Sequence, residues 1–328
     1  MVTSRDVASL AGVSQATVSR ARSSPLELAP TTLARVNAAM IELGYVPHAG
    51  ATAMKTGRTH TIGVVVDDLY NPFYAELLDE LTKAFDGEGF RVVMWNAGSG
   101  SHADALRAIS DHAVDGVAFA SATLRSVELH AAIDRGRPIV LINRDVEKFN
   151  CDKVIGENMA GGIAVADHLI SHGRVHAALI EGDPEASTSR DRVDGFLNRM
   201  AELGHPVPDH FRLTGSYSHD ASAQATRRLL EQTNRPDAIF CVNDNMAFGA
   251  IDTLRDFGLD SADCWIIGYD DIAMASWKSF DLTTVRQPTR EMARMGAKLL
   301  MERISDPTTV PRVVRYPSQL IVRGSTPL

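Results

Sequence analysis

Residues 6–20 read DVASLAGVSQATVSR, and this stretch decides the fold of the N-terminal part of the chain. Gly12 favours a tight turn between two short helices, because glycine adopts left-handed backbone conformations at little cost. Ala11 lets the two helices cross closely, and Val7 and Val18 supply a small apolar core. The spacing therefore predicts a helix-turn-helix, a motif whose second helix enters the DNA major groove.

The predicted second helix carries side chains whose chemistry suits a DNA duplex. Glutamine pairs bidentately with adenine and arginine with guanine, so Gln15 and Arg20 are candidates for reading bases, whereas Ala16 offers only apolar contact to a thymine methyl. Three hydroxyl side chains are better placed for phosphate oxygens near the positive helix N-terminus, namely Ser14, Thr17 and Ser19. The alternative is a small helical cap in which these residues only cap a helix and carry a solvated charge.

A third helix and the distribution of charge complete the N-terminal head. Pro30 predicts the start of this helix and Gly44 its end. Its apolar stripe consists of Leu33, Val36, Met40 and Leu43. Residues 1–58 carry six Lys and Arg against three Asp and Glu, whereas the rest of the chain carries 27 against 38. A basic head on an acidic body favours phosphate contact by the head alone.

The composition of the whole chain is that of a globular protein with several domains. Its 328 residues are 45% hydrophobic and carry a formal net charge of −8, and this length predicts two or three domains. Cys151, Cys241 and Cys264 are widely spaced, which favours buried thiols over disulfides. No apolar run predicts a membrane span, and the N-terminus has no signal-peptide pattern. We therefore expect a cytoplasmic protein without membrane contact.

From residue 61 onward, runs rich in β-branched residues alternate with amphipathic segments of helical length, such as Tyr74–Phe85. The eight predicted strands are Thr61–Val66, Arg91–Trp95, Gly116–Ala120, Pro138–Ile142, Lys153–Ile155, Val175–Ile180, Ala238–Val242 and Trp265–Ile267. This alternation predicts parallel sheets joined by helical crossovers, in two lobes that divide near residue 158.

Together with the run VNAAMIELGYVPH at residues 36–48, the N-terminal motif resembles the head of the lactose-repressor (LacI/GalR) family of bacterial regulators. The motif, the third helix and the Gly-Tyr-x-Pro exit occur at the family's spacing. The resemblance implies that Gln15 and Ala16 occupy two base-reading positions that vary among members. In the family the Ser-Arg that ends the motif is usually followed by Val-Leu/Val-Asn, whereas Ala-Arg-Ser follows Arg20 here, so Arg22 is a candidate for an extra DNA contact.

The resemblance also implies a hinge between head and body at residues 47–60. In the family this stretch folds into a short helix on DNA and pushes a leucine into the minor groove, and Met54 stands at that position here. Gly50 costs roughly 1 kcal/mol relative to alanine in a helix, and so short a helix is marginal by itself. We expect the hinge helix to form only on DNA, with a plain flexible linker as the alternative.

The body resembles the periplasmic sugar-binding-protein fold that this family uses as its sensor, for example at Asn71-Pro-Phe73 and Gly268-Tyr-Asp-Asp271. The predicted fold class is an N-terminal all-α helix-turn-helix head plus an α/β body with a two-lobed periplasmic-binding-protein-like fold and parallel sheets. The predicted domains are 1–46 for the head, 47–60 for the hinge and 61–328 for effector binding and dimerisation. Lobe 1 comprises about 61–157 and 289–317, and lobe 2 about 158–288 and 318–328.

Several polar residues follow predicted strands, and ligands of open α/β sheets bind outside the carboxyl ends of the strands. Asn143 and Asn243 directly follow strands, and Asp270 lies shortly after another. These amides and this carboxylate, with the planar donor fork of Arg192, suit the hydroxyl groups of a sugar. The resemblance matches Arg192, Asn243 and Asp270 to effector contacts of the family.

Two aromatic residues extend the candidate effector site. Phe73 and Tyr217 are candidates to cover the apolar face of a sugar ring or to stack on a base. The resemblance places Asn143, Phe73 and Tyr217 at effector-contact positions that vary between members. Asp244 is interpreted as the N-cap of the helix that includes Met246, not as an effector contact.

Metal-site and enzyme signatures are incomplete in the sequence. His168 and His172 lie four residues apart with His176 nearby, but no fourth ligand is evident, so we predict no metal and no cofactor. The Gly-rich run at residues 96–101 lacks the Lys-Ser/Thr of a phosphate loop, and no GxSxG predicts a nucleophile elbow. A solute-binding transport protein and a hydrolase with the same lobes are the alternatives from other classes.

These patterns and the family resemblance predict a sequence-specific DNA-binding transcription regulator, not an enzyme, with repression as the default outcome. Two chains pair through their lobes as a homodimer, without a coiled-coil tail, on near-palindromic double-stranded operator DNA. A small-molecule effector (a sugar, a polyol or a nucleoside-like compound) binds in the cleft and shifts the DNA-binding equilibrium. The sequence leaves open whether the effector releases the protein from DNA or recruits it.

Overall fold

Three short helices form the N-terminal unit of the structure, a computed structural model that describes residues 2–45, 57–96, 102–123 and 126–327, without the side chains of residues 22, 23 and 102. The helices are α1 (Ser4–Ala11), α2 (Gln15–Ser23) and α3 (Pro30–Glu42), with a 3-10 turn at Pro25–Glu27. The chain divides into two units, Met1–Thr59 and His60–Leu328, named the head and the body below. The hinge position Met54 lies outside the described residues.

Local capping explains where the first two helices begin and end. Thr3 caps α1, accepting a hydrogen bond from the backbone N–H of Asp6, whose carboxylate accepts one from the backbone N–H of Thr3. Gly12 ends α1 at φ 61°, which suits glycine. Buried apolar side chains from all three helices then pack together, including Val7, Val18 and Val36. The small core and the tight turn give the helix-turn-helix that the sequence predicts.

The first sheet of the body contains six strands. They are β1 (Thr61–Val66), β2 (Arg91–Asn96), β3 (Gly116–Phe119), β4 (Ile139–Ile142), β5 (Asp152–Gly156) and β11 (Val313–Tyr316). Their order is β11-β5-β4-β3-β1-β2, and all the pairs are parallel. Strands β1, β3, β4 and β5 are buried along their whole length, as expected for a parallel sheet covered by helices on both faces.

The second sheet repeats this arrangement. Its strands are β6 (Ala177–Glu181), β7 (Arg212–Thr214), β8 (Ala238–Cys241), β9 (Trp265–Asp270), β10 (Thr283–Arg286) and β12 (Gln319–Ile321). Their order is β12-β10-β9-β8-β6-β7, and only β12 runs antiparallel to its neighbour. The carboxyl ends of β6 to β10 therefore meet at one edge of this sheet.

Helices cover both sheets. They are α4 (Pro72–Asp86), α5 (His102–Ser110), α6 (Val127–Asp134), α7 (Asn158–Ser171), α8 (Ser187–Glu202), α9 (His219–Leu230), α10 (Asp244–Asp256) and α11 (Thr289–Ser305), with 3-10 turns at Asp209–Phe211 and Ala273–Ser276. Glycines let α7 and α8 pack at close range. A Cβ at Gly195 would lie 2.2 Å from the carbonyl oxygen of Met159, and one at Gly162 would lie 2.3 Å from that of Arg192. This packing fixes the helix that carries Arg192.

The chain passes between the two sheets three times, after β5, after β10 and between β11 and β12. These connections lie side by side. A Cβ at Gly156 would lie 3.1 Å from Oε1 of Gln287 and 3.6 Å from Oγ of Ser318. The backbone N–H of Glu157 donates to the carbonyl of Tyr316 at 2.9 Å. Three adjacent connections allow the two lobes to change their angle by small backbone rotations.

Candidate functional site

The head exposes most of the residues that the sequence assigns to DNA contact. Ser14, Gln15, Ala16, Ser19 and Arg20 are exposed, and Thr17 is half-buried. All of them belong to α2 or to its N-cap. The backbone of Arg22 lies in the last turns of α2. The face of α2 opposite to the buried Val18 is thus polar, open and available to a duplex.

Hydrogen bonds within the head position three of these side chains. Ser14 caps α2, since its Oγ accepts from the backbone N–H of Thr17 at 3.1 Å and lies 2.9 Å from Thr17 Oγ1. Gln15 Nε2 donates to Ser4 Oγ at 2.7 Å, which ties the amide to the start of α1. Such bonds reduce the side-chain entropy that base contact would cost.

In the body, a buried ion pair joins two of the residues that the sequence assigns to the effector. Arg192 Nη2 lies 3.1 Å from Asp270 Oδ1, and both side chains are at most 5% exposed. Arg192 also donates to Asn158 Oδ1 at 2.9 Å and to the carbonyl of Val242 at 2.6 Å. Its guanidinium carbon lies 3.7 Å from the ring centroid of Tyr269. These contacts hold the arginine in one orientation.

The carboxyl group of Asp270 has a raised pKa, so its neutral form persists to a higher pH than in an exposed Asp. Burial raises the pKa of Asp270 to about 6, against the opposing effects of Arg192 and of a 2.7 Å hydrogen bond from Gln287 Nε2. Both donors bind Oδ1, so Oδ2 has no hydrogen-bond partner within the described residues. An ionised Asp270 is therefore able to accept a hydroxyl hydrogen from a ligand.

The structure adds Arg144, which sequence reasoning missed. This arginine follows Asn143 at the carboxyl end of β4 and is only 3% exposed. It donates from Nη1 to the carbonyl of Asn143 at 2.8 Å and to Thr188 Oγ1 at 3.3 Å, and from Nη2 to Tyr74 Oη at 2.8 Å. Its charge helps to lower the pKa of Asp270. Arg144 thus lies beside the ion pair and connects the two lobes.

Several buried polar atoms near these residues have no hydrogen-bond partner within the described ranges. They include Asn143 Oδ1, Arg144 Nε, Tyr217 Oη and Asn243 Nδ2. Their residues follow the carboxyl ends of β4, β7 and β8, where open α/β sheets bind ligands. Leaving a buried polar group unpaired costs about 1–3 kcal/mol. Their occurrence at the carboxyl ends of strands in both sheets indicates that a polar ligand completes them.

The backbone is also unusual at three of the predicted effector residues. Asn143, Tyr217 and Asp270 have φ values of 59°, 60° and 119°. Residues other than glycine rarely adopt such values, and structures retain this strain mostly at functional sites. The strain supports a binding role for these positions.

The remaining predicted residues occupy different parts of the same region. Asn243 caps α10, because its Oδ1 accepts from the backbone N–H of Met246 at 3.0 Å. The prediction that Asp244 is this cap is wrong, since its carboxylate bonds the backbone N–H of Ile272 and the hydroxyl of Thr284.

The two aromatic candidates are linked to Arg144, Tyr217 by its closeness to the charge and Phe73 through Tyr74. Phe73 lies in the first turn of α4 and is buried against Tyr74 in an edge-to-face contact with centroids 5.5 Å apart. Tyr217 is half-buried, and its carbonyl accepts from Asn245 Nδ2 at 2.8 Å. Both Tyr74 and Tyr217 lie near enough to Arg144 to influence its pKa. The structure thereby brings aromatic and polar candidates from both lobes close to Arg144.

A curated relative decides the family of the chain. It is an HTH-type transcriptional repressor named PurR from Vibrio campbellii, which is 32% identical over 330 residues and covers 99% of this chain and 98% of the relative. The chain belongs to the LacI family. The model of bacterial regulatory proteins of the lacI family matches residues 3–48, and that of a periplasmic binding protein-like domain matches residues 166–326.

Solved structures agree with this LacI-family membership. The transcriptional regulator CelR in complex with cellobiose is 30% identical, with a TM-score of 0.75 over 99% of this chain and 100% of CelR. The Lac repressor dimer bound to operator and the anti-inducer ONPF is 24% identical, with a TM-score of 0.85 over 99% of both chains. The predicted family, the fold class and the assignment as a regulator rather than an enzyme are confirmed.

The histidines considered for a metal site serve the packing of the LacI-family body. His168 and His172 pack ring to ring with centroids 4.7 Å apart, and His168 also stacks on Trp265 and bonds Thr326. The described residues contain no group of three or more potential ligands placed to hold a metal. None of the helices in the described ranges has the length and apolarity needed to cross a bilayer.

Proposed function

We propose that this LacI-family regulator acts as a dimeric repressor on a near-palindromic operator and that a small polyhydroxyl effector in the body cleft controls its DNA affinity. The buried Arg192–Asp270 pair carries the effector part of the proposal, because it lies in the body whose strands β4, β7 and β8 are followed by buried polar atoms without partners. Two heads are required because one recognition helix reads only a few base pairs.

The roles of individual residues follow from this proposal. The DNA-contacting set is Ser14, Gln15, Ala16, Thr17, Ser19, Arg20, Arg22 and, in the hinge, Met54. The effector-contacting set is Phe73, Asn143, Arg192, Tyr217, Asn243 and Asp270. The proposed units are the head at 1–46, the hinge at 47–60 and the two-lobed body at 61–328, as the sequence predicts.

Contacts between the two lobes of the body couple their angle to the occupation of the effector site. The backbone N–H of Asp145 donates to Ser187 Oγ at 2.8 Å, and Arg144 donates to Thr188, so the start of α8 is tied to the end of β4. An effector that binds between these elements favours one angle of the lobes over another. A coupling of about 1–3 kcal/mol changes operator affinity about 5- to 150-fold.

The chemistry of the cleft favours a sugar or polyol. Asp270 Oδ2 and Asn143 Oδ1 accept hydroxyl hydrogens, and Asn243 Nδ2 donates to hydroxyl oxygens. CelR, a regulator of 30% identity, is described as a cellobiose complex. A nucleoside-like or purine effector is the second candidate, because Phe73 and Tyr217 offer aromatic rings and the relatives bear the name PurR.

Selection of bound duplexes from a genomic library, with sugars, polyols, purine bases and nucleosides supplied in turn, tests this proposal. We expect two-fold symmetric sites whose affinity falls steeply with salt and changes with one class of ligand. Sedimentation of the protein–DNA complex measures the number of chains. Asymmetric sites bound by single chains would contradict the dimer, and insensitivity to every ligand would contradict effector control.

A further inference from the structure

Arg144 is a buried cation whose guanidinium bonds no carboxylate of the described residues. Its side chain bonds only neutral oxygens, those of Asn143, Thr188 and Tyr74. No carboxylate of the described residues forms an ion pair with it within 4.0 Å, although Asp67 and Asp270 interact with its charge over a longer distance. A buried charge that lacks a partner is costly, and such charges are normally paired.

The arginine also keeps unused donors. A guanidinium has five N–H groups, and three hydrogen bonds are made here. The unused ones are the Nε–H, which is buried without a partner, and one N–H of Nη2. Nε–H and Nη2–H lie on the same side of a guanidinium, and this pair matches the two oxygens of a carboxylate.

The other cations of the cleft are already neutralised. Arg192 pairs with Asp270, and Lys153 Nζ lies 2.9 Å from Asp145 Oδ1. Among these three cations only Arg144 bonds no carboxylate of the described residues, so it is the one open to an anionic ligand, and a carboxylate of charge −1 leaves less excess negative charge there than a phosphate monoester of charge close to −2. The unpaired Asn143 Oδ1 beside it needs a hydrogen donor, and a hydroxyl next to the carboxylate supplies one.

We propose that the effector is a hydroxylated carboxylate, a sugar acid, whose carboxylate binds the Nε and Nη2 side of Arg144. This inference rests on the proposed effector role of the cleft and narrows its ligand class. Arg192 and Asp270 then bind the hydroxyl groups of the same molecule.

Calorimetry on the full-length protein at pH 7.5 tests this with matched ligands. Each sugar acid is compared with its neutral twin, such as D-gluconate with D-glucitol and D-glucuronate with D-glucose, and D-glucose 6-phosphate is the phosphate arm. We expect at least one acid to bind about ten-fold or more tightly than its neutral twin and than the phosphate. Preference for a neutral twin or for the phosphate, or failure of the aldonates, uronates and aldarates to bind, overturns the proposal.

The variant Arg144→Gln tests whether Arg144 causes the preference for the sugar acid over its neutral counterpart. Arg144→Gln is expected to bind the acid and its neutral twin equally, whereas Arg228→Gln, a change of an exposed arginine on α9, keeps the preference. Persistence of the preference in Arg144→Gln contradicts the assignment. If Arg144→Gln does not fold, Arg144→Lys replaces it as the test variant, because lysine keeps the charge but lacks the planar fork. The comparison of ligands on the unmodified protein needs no variant. If a neutral polyol binds and alters operator affinity, only this inference fails; if no ligand of any class does, the proposed function fails with it.

Discussion

Replacing Asp270 by asparagine is expected to stabilise the protein while abolishing its response to the effector. Burial raises the pKa of Asp270 to about 6 although Arg192 and Gln287 bind its Oδ1. Ionised Asp270 is thus less favourable in the folded protein than its protonated form. Asparagine resembles the protonated form in shape and charge, so Asp270→Asn removes this cost and also the anionic acceptor Oδ2.

The size of the stability cost of Asp270, and its dependence on pH, follow from the ordinary pKa of 3.8 and the pKa of about 6 in the folded protein. Between pH 3.8 and about 6, the folded protein retains a proton on Asp270 that the unfolded chain has lost, so the stability of the unmodified protein falls as the pH rises through this range. Above pH 6 the cost is complete. A shift of roughly two pKa units corresponds to about 3 kcal/mol at pH 8, and to about half of that at pH 5.

Urea unfolding followed by tryptophan fluorescence measures the difference in free energy of unfolding between Asp270→Asn and the unmodified protein. The fluorescence reports on the body, because Trp95, Trp265 and Trp277 all lie there. Asp86→Asn, a change of an exposed carboxylate on α4, is the control and is expected to alter stability by less than about 0.5 kcal/mol at either pH. The reasoning is refuted if Asp270→Asn destabilises the body at pH 8, or if its effect is the same at pH 5 and pH 8.

Further outcomes follow from other parts of the structure. Arg20→Ala is expected to weaken operator binding by about 1–3 kcal/mol in gel-shift titrations if Arg20 pairs with guanine, and an unchanged affinity removes that role. Ser14→Ala deletes the N-cap of α2, so thermal melting should show a head destabilised by about 1 kcal/mol, and an unshifted transition contradicts this. Effector affinity by calorimetry should fall about ten-fold per pH unit below pH 6 as Asp270 is protonated, whereas a flat profile from pH 8 to pH 5 excludes the carboxylate as acceptor. Gly195→Ala places a Cβ against the Met159 carbonyl and should lower the free energy of unfolding in urea by more than about 2 kcal/mol. A smaller loss would show that this backbone moves to admit the Cβ.

The sequence predicts the main elements of the fold, because eight of the strands are apolar runs of the length that a buried parallel sheet requires. The four strands that it misses are β7, β10, β11 and β12, which contain three or four residues each. Their own composition is partly polar, as in Thr283–Arg286. They form because distant partners supply the hydrogen bonds, for example β9 beside β10. Local patterns carry no signal for such pairing.

The same distinction between local and distant contacts applies to the site. The positions of Asn143, Asn243 and Asp270 at strand ends are readable from the sequence. Arg144 had a signal too, since it directly follows Asn143 behind a predicted strand, but its partners Thr188 and Tyr74 lie 44 and 70 residues away. Asn243 caps α10, whereas the carboxylate of Asp244 accepts hydrogen bonds from the hydroxyl of Thr284 and the backbone N–H of Ile272.

Occupation of the cleft around Arg192 and Asp270 is expected to set the affinity of the head for DNA. Titration of a selected operator with the full-length protein, repeated across a series of effector concentrations, tests it most directly. We expect the operator dissociation constant to change about 5- to 150-fold and to reach its plateau at the effector concentration that saturates the cleft by calorimetry. An operator affinity that stays constant while the cleft fills would contradict the account.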